Sequence, residues 1–124
     1  MDGETIKVDV ESRFLPDQSD EEENRYVFAY TITIFNEGKL PVQLLTRRWL
    51  ITDAGGKIQE VAGDGVVGEQ PTIRPGNYHR YSSFSVIETP VGTMEGSYGM
   101  IDKEGESFDA SIPVFRLAVP GIVN

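Results

Sequence analysis

The residues Gly63-Asp64-Gly65-Val66-Val67-Gly68 reproduce the spacing G-x-G-x-x-G. In a dinucleotide-binding fold such glycines let backbone amides approach a pyrophosphate at the N-terminus of a helix. That chemistry needs a helix directly after the loop. Here the chain continues Glu69-Gln70-Pro71-Thr72-Ile73-Arg74-Pro75-Gly76. Two prolines with β-branched residues between them forbid a helix. Asp64 and Glu69 would repel a phosphate, and Glu88, spaced like a ribose-binding acid, has no such fold around it. Two readings are left for Gly63, Gly65 and Gly68. They shape a turn between strands, or their amides form a nest that takes an anion without a helix.

The other chemical candidates are sparse. His79 is the only histidine. No Asp/Glu spacing around it resembles a metal site, and a general base needs a positioned partner; we expect a surface strand residue. Ser82, Ser83 and Ser85 read as the polar face of a strand, because no G-x-S-x-G surrounds them. Arg47 shares the parity of Trp49, so its stem is expected to run along the core and reach a carboxylate at the sheet's end. The functional alternative is an anion or partner-contact site built from Arg47 or Arg48 with Arg74 and Arg80. No catalytic residue, cofactor set or metal set stands out.

The elements that must position these residues are strands. From Arg25 to Asp53 two β-patterned runs flank a turn at Asn36-Glu37-Gly38-Lys39. In the first, Tyr26, Phe28, Tyr30, Ile32 and Ile34 alternate with Val27, Ala29, Thr31, Thr33 and Phe35, the period of a strand. The bulkier set is assigned to the core. In the second, Leu45, Trp49 and Ile51 share one parity and Val42, Leu44 and Leu50 the other, so the strand is apolar on both faces and central. The two runs are expected to form the central hairpin of a sandwich, with Trp49 as its buried anchor.

Around that pair, Ile6, Val8 and Val10 alternate with charged residues as a half-buried strand, and Pro16 to Asn24 is an acidic surface loop. Lys57–Val61 is a short strand, Gly63–Gly68 a loop, and Thr72–Asn77 a turn with Pro75 and Gly76 placed for type II geometry. Tyr78–Ile87, Thr93–Ile101 and Ser107–Val119 are further strands, the last with Pro113 at a bulge or edge. Short strands between Gly/Pro turns make an all-β, immunoglobulin-like or fibronectin type III-like sandwich of two antiparallel sheets.

Composition limits the partners. The 124 residues make one domain, 1–124. There is no cysteine, which excludes disulfides and thiolate metal sites and fits a reducing cytoplasm. The start, MDGETIKV, lacks a basic region and an apolar run, so no signal peptide is expected. With a net charge of −9 the protein is acidic, repelled by nucleic acid and anionic membrane, and better matched to a basic protein.

Leu44 to Gly56 (LLTRRWLITDAGG), Glu60 to Gly76 (EVAGDGVVGEQPTIRPG), Glu88 to Asp102 (ETPVGTMEGSYGMID) and Ile112 to Gly121 (IPVFRLAVPG) together resemble the ApaG family, also described as CorD-like. The resemblance covers nearly the whole chain. It implies a fibronectin-like sandwich and a cytoplasmic bacterial protein. Related domains at the ends of eukaryotic F-box and polymerase-interacting proteins imply a protein-interaction role. The family is also linked with cobalt and magnesium tolerance, and its gene lies beside a diadenosine tetraphosphate hydrolase in some bacteria. Two positions depart from the family pattern: Ala62 stands where a basic residue is expected, and Phe84 replaces a small residue, adding apolar surface for core or contact.

The leading expectation is therefore a non-catalytic binding module that recognises another protein through a sheet edge or a loop-rimmed face. The alternative is a small-molecule site for a phosphorylated nucleotide or other anion at Gly63–Gly68.

Overall fold

The computed structural model describes residues 5–122. Met1–Glu4, part of the stretch read for a signal peptide, lies outside them. Eight strands follow in order: β1 (Ile6–Phe14), β2 (Tyr26–Asn36), β3 (Val42–Asp53), β4 (Ile58–Asp64), β5 (Thr72–Ile73), β6 (Tyr78–Ile87), β7 (Val91–Asp102) and β8 (Ser107–Ala118). They form two antiparallel sheets packed as a sandwich. One has the order β1-β2-β6; the other has β4-β3-β7-β8, with β5 also pairing β3. The acidic run after β1 lies on the surface as two short 3-10 turns, Pro16–Gln18 and Glu21–Glu23, with no buried residue in either.

The alternation read in β2 is the alternation observed. Tyr26, Phe28, Tyr30, Ile32 and Ile34 are all buried and face the other sheet. Burial of these side chains, at about 1.5–3 kcal/mol each, is the main term holding the layers together. Trp49 comes from the facing layer, 3 % exposed. Its indole meets the Tyr30 ring edge-on at 5.4 Å and the Phe115 ring at 6.0 Å.

The expected β2–β3 hairpin is not formed. β2 pairs β1 and β6, whereas β3 pairs β4, β5 and β7, so the two strands lie in different layers. The reason is visible at Asn36, which is 1 % exposed. Its side-chain amide donates to the carbonyls of Leu40 and Ile73, at 2.8 and 2.9 Å, and its oxygen accepts the Gly38 N–H at 2.9 Å. These bonds satisfy the polar groups of a chain that crosses from one sheet to the other. Both strands carry a strongly apolar face, and stacking the faces buries more than pairing the edges.

The parity of β3 also differs from the expected one. The β3–β7 register shifts between Leu44 and Thr46. This bulge puts Val42 and Leu44 on the same buried side as Trp49 and Ile51, while Leu45 is only half-buried. The β7–β8 register shifts between Met94 and Gly96, opposite Pro113, so Pro113 stands at a bulge on an edge strand as expected.

Candidate functional site

The glycine pattern occupies the end of β4 and the tight turn after it. Gly63 lies within the strand, opposite Arg47. Arg47 runs its stem inward as expected, but its Nη1 donates to the carbonyls of Asp64 (2.9 Å) and Gly65 (3.1 Å), not to a carboxylate. The turn holds this carbonyl pair within hydrogen-bond reach, and Gly63 makes room for the guanidinium: a Cβ there would sit 3.0 Å from Nη1.

Gly65 has φ +65°, and an added Cβ would lie 2.3 Å from the Glu69 carbonyl oxygen. Val66 is fully buried and closes a two-residue turn with Glu69 through bonds of 2.8 and 3.0 Å. The turn residues Val67 and Gly68 have φ of 48° and 77°, the two positive values of a type I′ turn. Val67, 66 % exposed, holds a conformation that β-branched residues rarely adopt. The amides of Gly65, Val66 and Glu69 are consumed inside the protein, the first by the Leu45 carbonyl at 2.8 Å. The chain then enters β5 and not a helix.

Three tyrosines, Tyr30, Tyr81 and Tyr98, lie in the apolar core, the first two within reach of the Arg47 charge. Tyr81 and Tyr98 share a buried hydroxyl–hydroxyl hydrogen bond. Burial pushes both phenols well above the usual range, and burial raises Tyr30 too, against a hydrogen bond from Ser83 and the nearby Arg47 charge. An unfolded chain releases these protons near pH 10, whereas the folded chain keeps them. Stability should therefore be intact below about pH 10 and fall above it. An alkaline titration followed by phenolate absorbance and circular dichroism checks this: part of the absorbance rises only with unfolding. Complete ionisation with the fold intact would contradict it.

His79 is not the surface residue expected. It points into this region, its ring is 21 % exposed, and it stacks on Tyr81 with centroids 6.3 Å apart. Nε2 stands 3.9 Å from a Glu69 carboxylate oxygen and has no hydrogen-bond partner among the described residues. The serines do not share a face either. Ser82 points outward and bonds Thr31 at 2.8 Å, whereas Ser83 and Ser85 turn toward the core. Strand parity fixes both facts, and an odd-numbered residue of β6 always shares the side of buried Tyr81.

The four arginines do not converge. Arg47 is tied to the turn; Arg48 pairs with Glu60 at 2.9 Å on the exposed face of the larger sheet. Arg80 lies on the outer face of the smaller sheet, bonding Thr33 at 3.1 Å and covering the Tyr78 ring. Arg74 stands in the Arg74–Asn77 turn, whose Gly76 has the expected positive φ of 81°. It lines an open cleft of about 370 Å³ with Pro41, Thr72 and Lys103. Among the described residues no group of three His, Cys, Asp or Glu side chains could hold a metal ion, and no helix is long and apolar enough to cross a membrane.

One feature was only half legible from sequence. Phe84 shares its parity with Arg80 and projects outward from β6, 66 % exposed.

A family model for the ApaG domain matches residues 16–102. The chain belongs to the ApaG family. The Protein ApaG of Pseudomonas aeruginosa is 57 % identical over 96 % of this chain and 94 % of its own length, and that of Sodalis glossinidius is 55 % identical over 96 % and 95 %. An X-ray structure of a Northeast Structural Genomics Consortium target superposes with a TM-score of 0.93 at 49 % identity, covering 98 % of this chain and 92 % of that one. The C-terminal domain of wzt shares the fold at a TM-score of 0.55 and 12 % identity, covering 96 % and 75 %. Against this ApaG background, the G-x-G-x-x-G pattern sits in a strand end and a type I′ turn, a setting unlike a dinucleotide fold.

Proposed function

We propose that this ApaG-family chain is a non-catalytic module that binds another protein, by pairing an extended segment of it with a free sheet edge. The observation that carries this reading is the flank where β4 and β6 end their sheets. Neither strand contains proline, and neither ladder is bulged. Exposed apolar side chains stand on both: Ile58 and Val61 on β4, Phe84 and Val86 on β6. Unprotected edges of this kind are what strand-adding partners use. The opposite flank is blunted by Pro113; a side-chain bond spans the sheets on both flanks, Ser12 to the Arg116 carbonyl on that one and Gln59 to the Val86 carbonyl on this one. The charge of −9 favours a basic partner. A link to cobalt or magnesium tolerance would then run through that partner.

A phosphorylated nucleotide or other anion at Gly63–Gly68 has less support, because the turn has spent amides on itself and carries Asp64 and Glu69 beside it. Millimolar ATP or diadenosine tetraphosphate should leave the melting temperature unchanged, since only a ligand of the native state raises it. A lysine placed at the edge, as Val61→Lys or Phe84→Lys, should abolish capture of a cytosolic protein in at least one case while the melting temperature holds. Capture indifferent to both variants would refute edge binding.

A further inference from the structure

We infer that β6 pairs with β6 of a second copy of this chain, joining two three-stranded sheets into one across a two-fold axis. The inference rests on the reading that a sheet edge is the binding surface, and it names the occupant of one edge.

The hydrogen-bond phase of β6 is fixed at its start, where Asn36 N–H donates to the Asn77 carbonyl at 3.0 Å. Antiparallel ladders alternate, so His79, Tyr81, Ser83 and Ser85 spend their backbone groups on β2. Tyr78, Arg80, Ser82, Phe84 and Val86 aim theirs at the open edge. The same five residues carry their side chains on the outer face, and all are exposed. Among the described residues, the Val86 carbonyl is the one edge group that receives a side-chain donor, Gln59 Nε2 at 3.4 Å.

The strand is complementary to itself. An antiparallel pair centred on Ser82 puts Ser82 against Ser82 of the partner subunit, Arg80 against Phe84 of the partner subunit, and Tyr78 against Val86 of the partner subunit. The second match sets a guanidinium beside an aromatic ring and the third an aromatic beside a β-branched residue, both favourable cross-strand pairs. Each occurs twice by symmetry, as an isologous interface requires. No like charges face each other. Between Tyr78 and Ile87 there is no carboxylate, and Glu88, the next residue, is held by Lys57. In a chain of charge −9 this strand is a place where two copies approach with little local repulsion. The remaining repulsion is long-range and screened by salt, so raised ionic strength should strengthen the pair.

Sedimentation of the full chain from micromolar to millimolar concentration, at low and high salt, tests this. The expected result is a mass rising to twice the protomer's, more readily in high salt. Phe84→Lys faces Arg80 of the partner subunit with a like charge and should leave a folded monomer. Adding Arg80→Glu restores an opposite-charge match at that register and should restore the dimer. Amide exchange should slow with concentration at Arg80, Ser82 and Phe84, with Tyr81 and Ser83 unchanged. A wild-type monomer throughout, a Phe84→Lys variant that dimerises as wild type, or a double variant that stays monomeric overturns the inference. If the wild type is monomeric and a different protein slows the same amides, self-pairing fails and edge binding stands. If no protein slows them and the edge lysines leave capture intact, both fail.

Discussion

Replacing Trp49 with alanine should cost about 3–5 kcal/mol of stability, the usual range for a fully buried aromatic truncated in a core. Trp49 is 3 % exposed and lies between the sheets, with its indole against Tyr30 of β2 and Phe115 of β8. Removing it leaves a cavity that neither rigid strand can collapse into. It also strips two edge-on ring contacts, each worth roughly 0.5–1.5 kcal/mol beyond area alone. Denaturant unfolding of the two proteins gives the difference, and indole fluorescence of the wild type should resist an aqueous quencher until unfolding. A variant that keeps its stability and loses only binding would show an exposed contact at that position.

Gly96→Ala should be as damaging, for a different reason. Gly96 lies opposite Trp49 in the β3–β7 ladder, at the bulge. A Cβ there would stand 2.0 Å from the Arg48 carbonyl oxygen, so backbone must move. The expected cost is about 3 kcal/mol, the upper end for overpacking. Gly65→Ala meets both a positive φ and the Glu69 carbonyl at 2.3 Å and should also lower the melting temperature clearly. Gly68→Ala meets nothing within 4 Å, so only its φ of +77° opposes it, at roughly 1 kcal/mol. Thermal melts of the three variants should rank in that order. Equal stability in all three would mean the glycines do not serve backbone conformation.

Strand existence was legible because burial on one face imposes period two, and β2 shows it residue by residue. Pairing was not. The turn residues Asn36–Lys39 look the same whether the chain folds back in its own sheet or crosses to the other, and the bonds that decide it run from the Asn36 amide to the carbonyls of Leu40 and distant Ile73. The bulge at Leu45 was hidden because parity counting assumes an unbroken ladder. Around the candidate site, Pro71 and Pro75 were enough to exclude a helix after the glycines. The inward turn of His79 followed from the parity it shares with Tyr81, but deciding which parity faces the core needed the second layer. Phe84 was ambiguous for the same reason.

The most direct measurement follows backbone amide shifts as candidate ligands are added to the native protein. If a sheet edge binds protein, a purified protein partner, or raised concentration of the chain itself, should shift amides along residues 58–62 or Tyr78–Ile87. ATP and diadenosine tetraphosphate should shift none. Nucleotide-dependent shifts confined to Gly63–Gly68, lost in Gly65→Ala, with the edge amides silent toward every protein, would contradict the edge-binding account.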